Sequence, residues 1–209
     1  MTDIDRLKHC KKPMGYEGRE VAREMNERHF YLWKWGLEHI SINPDYLVLD
    51  VGCGGGKAIQ ILADFCPYGK VHGIDYSEEM VSMAQEVNNE LVKSNHVEIK
   101  YGTVSSIPYP DNTFDLVTAF ETYYFWPDLE NDLKEIYRVL KPEGILLIVN
   151  EVYKNGNFDE RNMEYVNTLD MHYHTPKEHK EILVKTGFTS VETYTKPENN
   201  WITIIAKKQ

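Results

Sequence analysis

Ten consecutive residues, 47–56, read Leu-Val-Leu-Asp-Val-Gly-Cys-Gly-Gly-Gly and concentrate more chemistry than any other stretch of the chain. The first half is apolar and β-branched, which suits a strand buried on both faces. The second half is a glycine cluster, and Ala58, Ile59, Ile61, Leu62, Ala63 and Phe65 follow it at helical spacing. A strand, a glycine turn and a helix open a βαβ unit. Glycine suits such a turn because it reaches positive φ and lets a ligand lie against bare backbone. A dinucleotide fingerprint would read G-x-G-x-x-G, with a ribose-binding acid about 20 residues on. Here the order is G-x-G-G-G, and Asp50 stands two residues before Gly52. A carboxylate in that place is a poor neighbour for pyrophosphate and a good one for a ligand that presents an ammonium or a sulfonium. The more distant acid is present as well: Asp75 closes a second strand-like run, 23 positions after Gly52.

Four segments then occur in a fixed order: Asp50-x-Gly52-x-Gly54-Gly55-Gly56; Gly73-Ile74-Asp75-Tyr76-Ser77; Ile107-Pro108-Tyr109-Pro110-Asp111-Asn112-Thr113-Phe114-Asp115-Leu116-Val117; and Val139-Leu140-Lys141-Pro142-Glu143-Gly144. Together, over residues 47–150, they resemble the class I S-adenosylmethionine-dependent methyltransferases of the small-molecule type. The resemblance implies an α/β, Rossmann-like three-layer sandwich. Its seven-stranded sheet is mostly parallel, its last strand is antiparallel, and a helix precedes it at the N-terminus. It implies S-adenosylmethionine as cofactor. Asp50, Gly52, Cys53 and Gly54 would steady the methionine end, and the backbone around Phe120 would complete it. Asp75 would accept both ribose hydroxyls, while Tyr76 and Met80 would cover an adenine face. The family usually carries an acid for the adenine amino group where this chain has Thr103. The Thr103 hydroxyl or the backbone of Val104 would have to serve instead.

The elements that must hold these groups read as follows. Residues 1–19 are polar, with Pro13, Gly15 and Gly18 as loop punctuation. Residues 20–40 have the spacing of one long helix, and Asn43-Pro44 breaks it before the first strand. Ser77 is positioned to cap the helix after the second strand. Residues 97–101 form a third strand and 114–120 a fourth. A helix then runs to Leu140, and 145–149 form a fifth strand. Residues 159–169 have a helical reading, Thr175 or Pro176 starts another helix, and strands over 191–194 and 201–206 finish the chain. The domain reading is one unit over 1–209: a helical cap to 44, the cofactor core over 45–150, an excursion or lid over 151–175, and a C-terminal helix with two strands from 176.

The acceptor side is less legible. Open α/β sheets bind ligands at the carboxyl ends of their strands. At the end of the fourth strand stand Glu121, Tyr123, Tyr124, Phe125 and Trp126. Glu121 reads as a base or an ammonium partner, and Tyr123 as the group that orients the nucleophile. Trp33, Tyr123 and Trp126 read as aromatic walls, suited to a cation or a planar ring. His29 and His172 complete the acceptor candidates; His29 reads either as a pocket base or as an ordinary exposed side chain, and the second reading is preferred. His172-Tyr173-His174 lacks a third ligand at zinc spacing, and no metal is expected.

Composition limits the partners. The chain has 209 residues, 42% hydrophobic, with 23 Lys and Arg against 33 Asp and Glu for a net charge of -10. An acidic surface without a basic run disfavours nucleic acid. Cys10, Cys53 and Cys66 fit neither a zinc site nor a disulfide framework, which suggests a reducing, cytoplasmic setting. The first twelve residues lack the apolar stretch of a signal peptide, and no run is long enough to span a membrane. A monomer or a homodimer is expected. The alternatives are a protein methyltransferase, a non-catalytic module on the same fold, and a nicotinamide-dependent oxidoreductase, which leaves Asp50 without a role.

Overall fold

The computed structural model describes residues 3–209, with side chains from Arg6 onward. Seven strands form one sheet: β1 (Leu47–Val51), β2 (Lys70–Asp75), β3 (Val97–Tyr101), β4 (Phe114–Phe120), β5 (Leu140–Asn150), β6 (Thr189–Lys196) and β7 (Trp201–Lys207). Their order across the sheet is β3-β2-β1-β4-β5-β7-β6. The strands from β3 to β5 are parallel, and β7 runs antiparallel to both its neighbours. This is the expected doubly wound sheet with its reversed last strand. The chain leaves β1 towards β2 on one side and returns as β4 on the other, so a crevice opens above the carboxyl end of β1.

Alternation along the strands sorts the core onto two faces. Leu49, Val51, Leu146 and Ile148 point to one face, where α7 (Leu129–Val139) and α9 (Pro176–Lys185) bring Leu133, Ile136 and Leu183. Val48, Leu147 and Val149 point to the other, under α3 (Phe30–Leu37), α4 (Lys57–Phe65) and α5 (Glu78–Val87). Burying each of these aliphatic side chains contributes about 1.5–3 kcal/mol. The starts of α5 and α9 fall where the sequence puts them, and Ser77 is the expected cap. Ser77 accepts a hydrogen bond from the Met80 backbone at α5, and Thr175 with Glu178 forms a capping box at α9. The helix read over 159–169 is α8 (Asp159–Leu169).

The N-terminal region departs from expectation. Residues read as one long helix after a polar loop form three helices: α1 (Asp3–Lys11), α2 (Gly15–Arg28) and α3. Met1 and Thr2 of the expected loop lie outside the described residues. The break falls at His29, because the two halves serve different partners. Ala22 and Met25 of α2 pack against Met80 and Met83 of α5, whereas Leu32, Trp33 and Leu37 of α3 lie on the sheet. Gly36 permits that approach, since a Cβ there would stand 2.4 Å from Val149 Cγ2. A short helix, α6 (Asn89–Lys93), extends the α5 segment beyond its expected end. The helix before β5 stops at Val139, and Leu140 already pairs with Phe114. The expected Pro142–Gly144 turn is absorbed as an irregularity in the β4–β5 register.

Candidate active site

The glycine bend is tied to the end of β2 at three points. The Gly52 and Cys53 amides donate to the Ile74 carbonyl at 2.8 and 3.0 Å, and the Gly54 amide donates to Asp75 Oδ2 at 2.9 Å. Gly52, Gly54 and Gly56 have φ of 75°, 49° and 81°, the left-handed region that glycine enters without a Cβ penalty. A Cβ on Gly54 would meet no neighbour, so the bend presents bare backbone to the space above it.

That space is one continuous cavity of about 990 Å³. Asp50, Gly52, Cys53 and Gly54 border it at the bend. Asp75, Tyr76 and Met80 border it at the end of β2, Thr103 and Val104 after β3, and Phe120 at the end of β4. The structure therefore brings every expected cofactor residue to one wall. Asp75 accepts from Gly54 and Ser77, which leaves acceptor capacity on its two oxygens for a vicinal diol. Asp50 is 1% exposed, and among the described residues its only side-chain polar partner is the Thr118 hydroxyl at 2.7 Å. Burial pushes its carboxyl up to about 7, against the pull of Thr118 and with a further push from Asp75. Among the described residues no cation pairs with it. A buried carboxyl without a counter-ion, beside open backbone, fits a ligand that brings its own ammonium.

The N-terminal helices roof this cavity. The Tyr76 hydroxyl donates to the Lys11 carbonyl at 2.6 Å, and Lys11 Nζ donates to the Leu169 carbonyl at 2.7 Å at the end of α8. Arg19 of α2 pairs with Glu79 and Glu86 of α5. Exposed pairs of this kind contribute little singly. The backbone-directed bonds are the firmer straps.

On the acceptor side, His29, Trp33, Trp126 and His172 all border the cavity. Trp33 stands against Phe120 with ring centroids 5.9 Å apart. His172 is held by the Trp126 carbonyl at 2.8 Å from Nε2. His29 is not an ordinary exposed side chain: it is 7% exposed and lies 3.0 Å from Glu151. Glu121 borders the cavity with φ of 60°, a conformation that costs an L-residue roughly 1–2 kcal/mol. Burial raises its pKa, as does the nearby Glu151, while His29 and Tyr124 oppose the shift.

Tyr123 is the correction. It is fully buried, away from the cavity, packed against Trp126 and His179 at centroid distances of 5.2 and 5.4 Å. The residues after β4 form a 3-10 turn, Tyr123–Phe125. There Tyr123 faces the core, whereas Tyr124 borders the cavity and donates to Glu121 Oε2 at 2.8 Å. Of the tyrosine pair it is Tyr124 that lines the cavity, together with Glu151 and Tyr165 of the expected 151–175 excursion and with Arg28, which the sequence did not single out. Glu151 directly follows the fifth strand, at the sheet end where ligands bind, and that position was the available signal.

Comparison with known proteins decides what this site belongs to. Residues 49–148 match the methyltransferase domain family. Over those residues the chain carries a class I S-adenosylmethionine-dependent methyltransferase domain. A solved structure of a SAM-dependent methyltransferase from Aquifex aeolicus is 26% identical, covers 100% of both chains and superposes with a TM-score of 0.73. A sterol 4-C-methyltransferase of Caenorhabditis elegans is 28% identical over 157 residues, which is 75% of this chain and 45% of that protein. A demethylmenaquinone methyltransferase of Anoxybacillus flavithermus is 36% identical over 119 residues, 56% of this chain and 50% of that protein. The chain spans about half the length of these curated relatives. Family membership sets aside the nicotinamide reading.

Proposed function

We propose that this methyltransferase moves a methyl group from S-adenosylmethionine to a small, largely apolar acceptor with a planar ring. The observation that carries the reading is the single roofed cavity. It joins the Asp50–Gly54 bend to the aromatic walls of Trp33, Phe120, Tyr124 and Trp126. Bound S-adenosylmethionine supplies an already activated methyl group, so the protein has mainly to orient, to exclude water and to receive a proton.

In this reading Asp50 and the turn backbone hold the ammonium and carboxylate of the methionine end. Asp75 holds the ribose, Tyr76 and Met80 cover the adenine, and Thr103 or the Val104 backbone meets its edge. Trp33, Trp126 and His172 shape the acceptor space, and Glu121 gives it a carboxylate. The roof formed by α1, α2 and α8 supports a small molecule over a protein side chain, and the curated relatives are named for sterol and demethylmenaquinone substrates. The net charge of -10 supports an acceptor other than nucleic acid. The three free cysteines support a reducing, cytoplasmic setting. No described helix is long and apolar enough to cross a membrane. Monomer and homodimer both suit the site.

Titration calorimetry with S-adenosylhomocysteine tests the donor half, with one site per chain expected; a folded sample that binds none removes the reading. For the acceptor half, transfer of labelled methyl from S-adenosylmethionine to 1,4-dihydroxynaphthalene is compared in wild type and Trp126→Phe. Loss of transfer with homocysteine-product affinity kept within a few-fold is expected.

A further inference from the structure

His29 sits at the corner between α2 and α3, against two carboxylates delivered by different strand ends. Its Nε2 is 3.0 Å from Glu151 Oε2 and 3.7 Å from Glu121 Oε2. The carboxylates are themselves fixed. Glu121 accepts from the Glu151 amide on Oε1 and from the Tyr124 hydroxyl on Oε2, and Arg28 donates to Glu151 Oε2 at 2.6 Å. The three acidic and basic groups are near enough to surround a divalent ion. However, a guanidinium and a phenol already occupy the oxygens such an ion would use, and Arg28 would repel it. The arrangement suits a proton. Nothing among the described residues hydrogen-bonds to His29 Nδ1, and the imidazole borders the cavity.

We propose that His29 is the general base of this site, its Nε2–H held by Glu151 with Glu121 behind it, so that Nδ1 takes a proton from an aromatic hydroxyl, phenol- or quinol-like, on the acceptor. The inference rests on the methyl-transfer reading above. It names Glu151 and Glu121 as positioning residues, and it moves the base from Glu121, whose two oxygens are engaged, to a ring nitrogen that is not. The balance is simple. The acceptor's O–H bond breaks and its proton goes to Nδ1. The electron pair freed on the acceptor, at oxygen or at the conjugated ring carbon, forms the new bond to the methyl carbon, and the C–S pair leaves with sulfur. If the ring carbon is methylated, loss of its own hydrogen restores aromaticity and returns a proton to the hydroxyl oxygen. The imidazolium that forms is stabilised by the two carboxylates, in the manner of the histidine–carboxylate pairs of other enzymes.

The groups facing His29 are Glu121 and Tyr124 after β4, Glu151 after β5, and Arg28 beside it, with Cys10, Arg6 and Glu24 further along the roof. Burial pulls the imidazole pKa down, and the two carboxylates more than offset it, while Arg28 works against them.

The experiment is long-range proton–nitrogen NMR on protein labelled at its histidine nitrogens, with S-adenosylhomocysteine present at a concentration shown by calorimetry to saturate. Neutral His29 should carry its proton on Nε2 and titrate above the ordinary histidine value, and Glu151→Gln should lower that midpoint by about one unit or more. A proton on Nδ1 in the neutral form overturns the proposal. So does a midpoint that Glu151→Gln leaves in place in a variant that still binds S-adenosylhomocysteine. Stoichiometric broadening of the His29 signals by added Mn²⁺ would make the cluster a metal site and overturn it equally. Failure of the underlying methyl-transfer reading would show separately, as wild-type protein that binds no S-adenosylhomocysteine.

Discussion

Asp75 and Gly54 are joined by a hydrogen bond of 2.9 Å that runs from the Gly54 amide to the Asp75 carboxylate. It ties the last residue of β2 to the crest of the bend after β1. The same carboxylate therefore sets the shape of the bend and faces the cavity.

Asp75→Asn should weaken S-adenosylhomocysteine by about 10–100-fold, the loss of roughly 1.5–3 kcal/mol that charge-assisted hydrogen bonds contribute. Its effect on the urea midpoint should be smaller, because Ser77 still caps α5. Calorimetry and urea unfolding of one preparation check this. Unchanged affinity would place the ribose elsewhere.

Asp50 predicts a proton signature. Its folded pKa of about 7 lies above the ordinary 3.8, so the native state binds more protons than the unfolded state between those values. Its contribution to stability accordingly falls as pH rises through that interval. A ligand ammonium reverses the preference, since it favours the ionised carboxyl. S-adenosylhomocysteine binding at pH 6 should release protons, visible in buffers of different ionisation enthalpy, and should tighten towards pH 8. Asp50→Asn should abolish both effects.

Gly52 and Thr122 should be energetically coupled. A Cβ on Gly52 would lie 2.5 Å from Thr122 Cγ2, and φ there is 75°. Gly52→Ala should cost about 1–3 kcal/mol. Thr122→Ser keeps the hydroxyl that donates to the Val51 carbonyl and removes the methyl. The double variant should recover part of the loss in a cycle measured by urea unfolding, and strict additivity would mean that backbone conformation alone sets the cost.

His179 predicts acid sensitivity. It is 2% exposed, both ring nitrogens lack a partner among the described residues, and burial holds its pKa down to about 3. The unfolded state takes up a proton near the ordinary 6.5 and the native state does not. Stability is therefore full above 6.5 and falls as pH drops towards 3. His179→Phe should flatten the fall in urea midpoint between pH 7 and pH 4. His72, lowered to about 4 by burial, should leave a residual slope.

The wall proposed to hold the donor was legible because it is local. Asp50 to Gly56 is one strand end and one turn, and Asp75 ends the neighbouring strand of a parallel pair. Residue type and spacing therefore carry the geometry. The cap at Ser77 was legible for the same reason, since a cap acts on amides two or three positions away, and so was a helix start at Thr175 or Pro176.

What the amino-acid order determined by itself was the family resemblance, the sheet and the glycine bend beside Asp75, because short-range backbone chemistry fixes each of them. Tertiary structure decided the acceptor wall. His29, Glu121 and Glu151 are far apart in sequence and meet only because α2 and α3 part at His29 while β4 and β5 end side by side. Tyr123 and Tyr124 are chemically identical neighbours. Only the 3-10 turn after β4 sends one ring into the core and the other to the cavity, and no periodicity in the sequence marks that difference.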